Sequence, residues 1–346
     1  SKKLKAIAIR GSHPITVADP KGLQEETLKL IKVTQGPGTL KYRSLGTPAN
    51  VLNMNRMGVL PTRNFSETVF EHADTISGEY LRDHFTVKSV ACAGCSIACE
   101  KWGLVKEGKY KGATIGLDYE PLFALGCNCG IGELPPIIAL VEKCDKLGLD
   151  AMSGGVTISW AMECYEKGLL SKEDYDGLEL NFGNADAALA LLDKIAYREG
   201  IGDLLAEGTK RASEKLGKGS EHFAMHSKGL EMPGYDVRGL KTFAMGLAVG
   251  TRGACHNRSL AYELDIKGVV DRFTVEPGRG KLAMEKENFA CILDCLVLCK
   301  FIRKCFDDFY PDVARLYTKT TGIEVTGEEM SHLGERVWNL KKAFNI

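Results

Sequence analysis

Apolar residues recur at three-and-four spacing through most of the chain beyond residue 134. The stretch LPPIIALVEKCDKLGLDAMSGGVTISWAMECYEKG (134–168) has this period, as do ADAALALLDKIAYREGIGDLLAEGTKRASEKLG (185–217) and the segment 282–306. A period near 3.6 puts one apolar stripe on one face of a helix, so these segments predict helices. Nearer the start, Asp19-Pro20 opens and Gly36-Pro37-Gly38 closes an amphipathic segment, the usual punctuation of a helix. The opening run KAIAIRGSH (5–13) is extended and apolar and predicts a strand. The expected fold is mainly α, with two multihelical domains and little β structure, placed near the N-terminus. The polar, glycine-containing stretch GKGSEHFAMHSKG (217–229) follows a clear helix and precedes a new pattern, which sets an expected boundary near 220 and domains of 1–220 and 221–346.

At 346 residues the chain is long enough for two cores. Lys plus Arg and Asp plus Glu are 45 each, so the basic footprint expected of a nucleic-acid or acidic-membrane binder is missing. No stretch approaches the roughly 20 apolar residues of a membrane span, and SKKLKAIAIRGSHP lacks the apolar centre of a secretory signal. The expectation is a cytoplasmic protein whose partners are small molecules or other proteins. Twelve cysteines in such a chain suggest reduced thiols or metal ligands rather than a disulfide framework.

Three of them form Cys92-Ala-Gly-Cys95-Ser-Ile-Ala-Cys99, a C-x2-C-x3-C run whose small residues let one tight segment aim three thiolates at one centre. Soft thiolates select iron–sulfur clusters or zinc, and a 4Fe-4S cube takes four cysteines. The fourth lies in CILDCLVLCKFIRKC, which offers Cys291, Cys295, Cys299 and Cys305. On a helix 291, 295 and 299 drift along one face, and spacing does not choose among them. A weak internal echo does: Cys144-Asp145-Lys-Leu-Gly-Leu149-Asp150 and Leu293-Asp294-Cys-Leu-Val-Leu298-Cys299 share Asp-x-x-x-Leu, and Cys299 stands where Asp150 stands. The other three are expected to be core thiols. Cys127 and Cys129, flanked by Gly126 and Gly130, are expected to mark close backbone packing beside a pocket rather than a second metal site.

Together, the cysteine run, the DKLGLD segment, the late Asp-x-x-x-Leu-Cys and Arg252-Gly-Ala-Cys-His256-Asn-Arg258 occur in the order found in the aldehyde:ferredoxin oxidoreductases, and the chain resembles that family along its whole length. The resemblance implies a tungsten or molybdenum bis-pterin and a nearby 4Fe-4S cluster, held between an N-terminal β domain and two helical domains. The present chain looks like the helical pair. Cys92, Cys95, Cys99 and Cys299 would hold the cluster. Asp145, Leu149 and Asp150 would hold one pterin; Asp294 and Leu298, with Lys300 beside them, the other. A carboxylate suits the paired N–H donors of a pterin edge. Arg252 and Arg258 would contact pterin or phosphate, for which a guanidinium fork is matched.

Glu120, in Leu-Asp-Tyr-Glu-Pro, and His256 match the family's proton-handling groups. Glu120 is expected to activate water as a general base, and burial to raise its proton affinity. His256 is expected to bind the substrate carbonyl oxygen or to relay a proton. The resemblance further implies an aldehyde substrate, ferredoxin as electron acceptor, and a missing N-terminal pterin-binding domain, without which the chain alone would be inactive. The competing readings are a non-catalytic iron–sulfur electron-transfer module and a structural zinc protein.

Overall fold

The computed structural model describes residues 6–345 and is mainly α-helical, with sixteen α-helices, one three-stranded sheet and one two-stranded ribbon among the described residues. The first helix, Pro20–Thr34, starts where proline at its first position and the Asp19 side chain, accepting from the Gly22 N–H at 2.9 Å, satisfy its free donors. Both ends of this helix are tied. Asp19 and Ala18 donate backbone N–H groups to Lys319 and Thr320 of the late helix Phe309–Thr321 at 2.8 and 3.1 Å. At the other end Gln35 Nε2 donates to Ser96 O at 2.7 Å, and Thr34 Oγ1 lies 2.6 Å from Ser96 Oγ.

The expected opening strand does not form. Residues 6–17 have no regular structure, Ile7 and Ile9 are exposed, and residue 5 lies outside the described part. An extended apolar run becomes a strand only where a sheet edge offers it hydrogen bonds, and no described strand pairs with it. The sheet lies later instead. Strands β1 (Thr86–Val90), β2 (Glu100–Leu104) and β3 (Thr114–Leu117) pair antiparallel in that order, with Trp102 opposite Lys88 and Gly116. The cysteine run is the connection between β1 and β2. The inward face of β2 holds Lys101, which is 2% exposed.

The main core is built by helices Tyr119–Leu125, Leu134–Leu147, Ala151–Glu166 and Ala185–Tyr197, whose apolar stripes meet over Leu122, Phe123, Ile137, Leu140, Ile158, Leu191 and Leu192. This buried cluster runs from Val51 to Ala254. Trp160 is wholly buried and its indole N–H donates to Ser220 O at 3.1 Å; truncating it to alanine would cost about 3–5 kcal/mol. Smaller clusters gather Ile292, Val313 and Met330, and Leu260, Ala290 and Leu293. The helices Arg279–Cys295 and Gly327–Phe344 approach so closely that a Cβ on Gly334 would stand 2.5 Å from Asn288 O. No single helix among the described residues is long and apolar enough to cross a membrane.

The helical segment expected over 282–306 stops at Cys295. Val297 takes a left-handed φ of 55°, which turns the chain out of the helix, and a short 3-10 turn, Ile302–Cys305, follows. Cys299 is therefore outside the helix that carries Cys291 and Cys295. Of the expected core thiols, Cys291 and Cys305 are buried and Cys295 is exposed.

Candidate active site

The echo in the sequence is an echo in structure. Helix Leu134–Leu147 ends with Gly148 at φ 68°; the Gly148 N–H donates to Asp145 O at 3.1 Å and the Leu149 N–H to Cys144 O at 2.9 Å. Helix Arg279–Cys295 ends the same way: the Val297 N–H donates to Asp294 O at 3.2 Å and the Leu298 N–H to Leu293 O at 2.8 Å. A left-handed residue with these two nested bonds is the Schellman closure of a helix. Each copy thus puts its aspartate in the last turn and its leucine just past the end. The next residue diverges. Asp150 Oδ1 accepts the Ser153 N–H at 2.7 Å and caps the helix Ala151–Glu166, whereas Cys299 Sγ lies 3.4 Å from the Phe301 N–H.

Cys299 comes back to the early trio. Cys95 and Cys299 both stand near enough to Cys99 to raise its thiol pKa, which burial, as the largest cause, and Asp118 help push up to about 11. The trio's loop is a tight turn: Cys95 N–H bonds Cys92 O at 3.0 Å, Ile97 N–H bonds Cys95 Sγ at 3.4 Å, and Ala98 adopts a left-handed φ of 51°. Behind it the ammonium of Lys101 donates to Arg43 O, Ser89 Oγ and Ala98 O at 2.6, 2.8 and 3.1 Å. Phe301, two residues past Cys299, stacks on Tyr42 with ring centroids 4.1 Å apart. Among the described residues no three His, Cys, Asp or Glu side chains converge tightly enough for one ion. A cube spreads its four thiolates over its corners, and sulfurs that already receive backbone N–H groups are the environment in which such clusters are held. The donor set fits a 4Fe-4S cluster.

A cavity of about 460 Å³ opens beside this loop, and Cys92, Cys99, Glu120, His256 and Lys300 all line it. Glu120 sits at the start of Tyr119–Leu125. Its Oε2 accepts the Gly234 N–H at 2.9 Å, and its Oε1 lies 3.3 Å from His256 Nδ1, out of line for a hydrogen bond, so that a buried oxygen has no donor. Burial pushes the Glu120 carboxyl up to about 8, with Asp118 and Asp150 adding to it and the Gly234 N–H opposing. Burial, then Arg252 and Lys300, pull His256 down to about 4. At neutral pH the pair is a protonated acid beside a neutral imidazole.

A second cavity, about 680 Å³, is lined by Arg252, Arg258, Asp294 and Cys295. Asp294 is paired with Arg258 and with Lys300, whose Nζ is 2.9 Å from Oδ1. Since Lys300 also lines the first cavity, it joins the two. Arg252 Nη1 rests 3.4 Å from Cys255 Sγ. Leu298 packs beside the buried Leu293 and Ala290. Asp145 is exposed and its side chain accepts no hydrogen bond from the described residues, while Leu149 packs against the main core. Cys127 and Cys129 are buried and turn toward backbone oxygens, Cys129 to Ala124 O at 3.2 Å and Cys127 to Phe123 O at 3.5 Å; burial drives both thiols far up.

Several lining residues carried no sequence signal. Tyr235 accepts from Asn50 Nδ2 at 3.2 Å and stacks on Tyr262 at 4.9 Å, and His256 packs 5.4 Å from the Tyr235 ring. Tyr119 donates to Gly234 O. The Pro-Gly-Tyr at 233–235 was the one available cue to this wall.

The sequence model of the family described as "Aldehyde ferredoxin oxidoreductase, domains 2 & 3" matches residues 23–346. The tungsten-containing aldehyde ferredoxin oxidoreductases of Thermococcus kodakarensis and Pyrococcus abyssi are 34% and 36% identical to the chain over all of its length. The chain spans 57% of the length of each. A chain of the active-site complex BamBC of benzoyl coenzyme A reductase, solved with 1,5-dienoyl-CoA, shares the fold at 20% identity and a TM-score of 0.73, over 97% of this chain and 58% of that one.

Proposed function

The chain belongs to the aldehyde ferredoxin oxidoreductase family, and from that premise we propose that it forms part of a cytoplasmic enzyme oxidising aldehydes to carboxylic acids. The balance is RCHO + H2O → RCOOH + 2 e⁻ + 2 H⁺. Cys92, Cys95, Cys99 and Cys299 would hold a 4Fe-4S cluster, which would supply an outlet for the two electrons to ferredoxin. The observation that carries this reading is the single cavity in which Cys92 and Cys99 face the Glu120–His256 pair.

A tungsten or molybdenum bis-pterin, when bound, supplies the centre that accepts the two electrons. Asp145, Leu149 and Asp150 are the residues proposed for one pterin, and Asp294, Leu298, Lys300, Arg252 and Arg258 for the other. Two helix ends with the same hydrogen bonds suit two copies of one ligand. In this reading the rest of the pterin envelope corresponds to the part of the relatives' length that the chain does not span. The proposed division into helical units of 1–220 and 221–346 leaves Met232 to Ala254 packed on the core of the first unit.

In the deprotonated state Glu120 takes a proton from water at Oε1, its buried oxygen without a donor. The Gly234 N–H on Oε2 holds the carboxyl in place. His256, neutral above about pH 4, offers the substrate carbonyl oxygen a hydrogen bond without adding charge. The base form of Glu120 grows as pH rises through about 8, so kcat/KM of the holoenzyme rises with pH and levels off above that value. Glu120→Gln removes both the limb and the activity.

The decisive test is anaerobic loading with iron and sulfide followed by metal analysis. Roughly four irons per chain with matching labile sulfide are expected. Zinc without iron sinks the proposal in favour of a structural metal site. A cluster retained with no aldehyde-dependent ferredoxin reduction by the holoenzyme leaves only an electron-transfer module.

A further inference from the structure

Behind the Glu120–His256 cavity lies a second recess of about 400 Å³, and the two share five walls: Tyr42, Asn50, Tyr235, Tyr262 and Arg303. The two spaces therefore adjoin at these side chains. The recess is strongly cationic. Lys41, Arg56, Lys267, Arg303 and Lys304 line it, with Glu263 as the single carboxylate.

That carboxylate is already oversubscribed. Glu263 pairs with Arg303, with Lys267 at 3.2 Å and with Lys286 at 3.9 Å, while no described carboxylate lies within 4.0 Å of a Lys41, Arg56 or Lys304 nitrogen. Lys41 and Lys304 converge on one ring, their ammonium groups 5.9 and 5.8 Å from the centroid of Tyr42. Two cations over one aromatic, with no anion between them, repel each other. Consistently, Lys41 is pulled down to about 8, by burial first and by Lys304 second. The Arg303 side chain is 7% exposed; it donates to Glu263 and to Lys300 O, and its buried Nε has no partner among the described residues. A buried guanidinium donor without an acceptor costs free energy that an anion in the recess would recover.

The geometry points to an anion-binding subsite formed by Lys41, Arg303 and Lys304, which takes the carboxylate or phosphate end of a substrate whose carbonyl is presented to Glu120 and His256. This deepens the oxidoreductase reading and rests on it for the carbonyl end alone. Arg303 is the link, since it lines both spaces. A second acidic group is favoured over a neutral aliphatic chain because the recess offers several donors and one shared acceptor. Its floor, with Glu263 and the Arg303 side chain buried and Asn53, Arg56, Lys267 and Lys304 exposed at the rim, favours a small molecule over a protein surface.

The test is calorimetric binding of succinate and of glycerol 3-phosphate to the purified protein, with butyramide and glycerol as neutral counterparts. The expected result is that at least one anion binds at a single site while the neutral pair does not, and that Lys41→Gln and Lys304→Gln each weaken it about tenfold or more, as for loss of a charge-assisted hydrogen bond. Binding of succinate alone assigns a carboxylate, and of the phosphate alone a phosphate. The subsite is overturned if neither anion binds, or if the variants weaken binding no more than Lys29→Gln, a change at an exposed lysine of the first helix. It is equally overturned if they impair only the use of ferredoxin. In the holoenzyme, kcat/KM for succinic semialdehyde over that for butyraldehyde falls in parallel in the two variants. Intact anion binding without oxidation of any aldehyde would sink the oxidoreductase reading while leaving the anion site standing.

Discussion

The ends of helices Leu134–Leu147 and Arg279–Cys295 close with the same two backbone bonds, yet they stand in different surroundings. The first has Gly148 at the left-handed position, an exposed and unpaired aspartate, and Asp150 capping the helix that follows. The second has Val297 there, an aspartate held by Arg258 and Lys300, and Cys299 near enough to Cys99 to raise its thiol pKa. A shared turn places a side chain; its neighbours decide whether that side chain acts as a cap, as a charge clamp or as a candidate ligand.

The comparison is broken most severely at its last position. Cys299→Ala is expected to abolish most of the iron and sulfide taken up on anaerobic loading, measured by metal analysis and visible absorbance. Its counterpart Asp150→Ala keeps the metal and lowers stability by about 1 kcal/mol, the usual worth of a helix cap, read from denaturant midpoints. Full metal content in Cys299→Ala would show that the resemblance between the turns misassigned the fourth thiol.

At the aspartates the asymmetry is smaller. Asp294→Ala strands Lys300 and Arg258 and should cost about 1–2 kcal/mol in chemical denaturation, a buried-pair penalty discounted for partial exposure. Asp145→Ala should stay within about 0.5 kcal/mol, since no side-chain bond is lost. Equal losses at the two sites would mean that the pairing seen around Asp294 contributes nothing.

The left-handed position gives the finest contrast. Gly148→Val is expected to destabilise by roughly 1–2 kcal/mol, because a β-branched residue resists positive φ. The reverse change, Val297→Gly, removes that strain at a residue 91% exposed, and should raise stability by about 0.5–1 kcal/mol after glycine's entropy is allowed for, seen as a higher thermal midpoint.

Spacing singled out the thiol trio as candidate ligands, and an echo two positions strong singled out Cys299, which stands near enough to Cys99 to raise its thiol pKa. Both are local signals, and local signals survive folding. What escaped notice depended on residues brought together from far apart. Tyr235 and Asn50 meet across 185 positions, and Arg303 finds Glu263 across 40. No pattern along a chain marks such pairs. Lys101 escaped for the opposite reason, since a lysine in an alternating strand reads as solvent-facing until the strand is seen with that face turned inward. The helix expected to continue past Cys295 shows the limit of periodicity: apolar spacing persists through Val297 and Leu298, whereas the backbone has already turned at Val297. The opening run failed because extension without a partner is not a strand.

The first helix contains no cysteine, yet it fixes where cysteines can be. As a rod of fifteen residues it is about 22 Å long, with one tip fastened to Phe309–Thr321 and the other to Ser96, between Cys95 and Cys99. Segments remote in sequence are thereby held at a set spacing by something other than the ligand they would share. Loosening either fastening would let the distance drift, and amide exchange at Ser96 would then respond to a change made at Lys319.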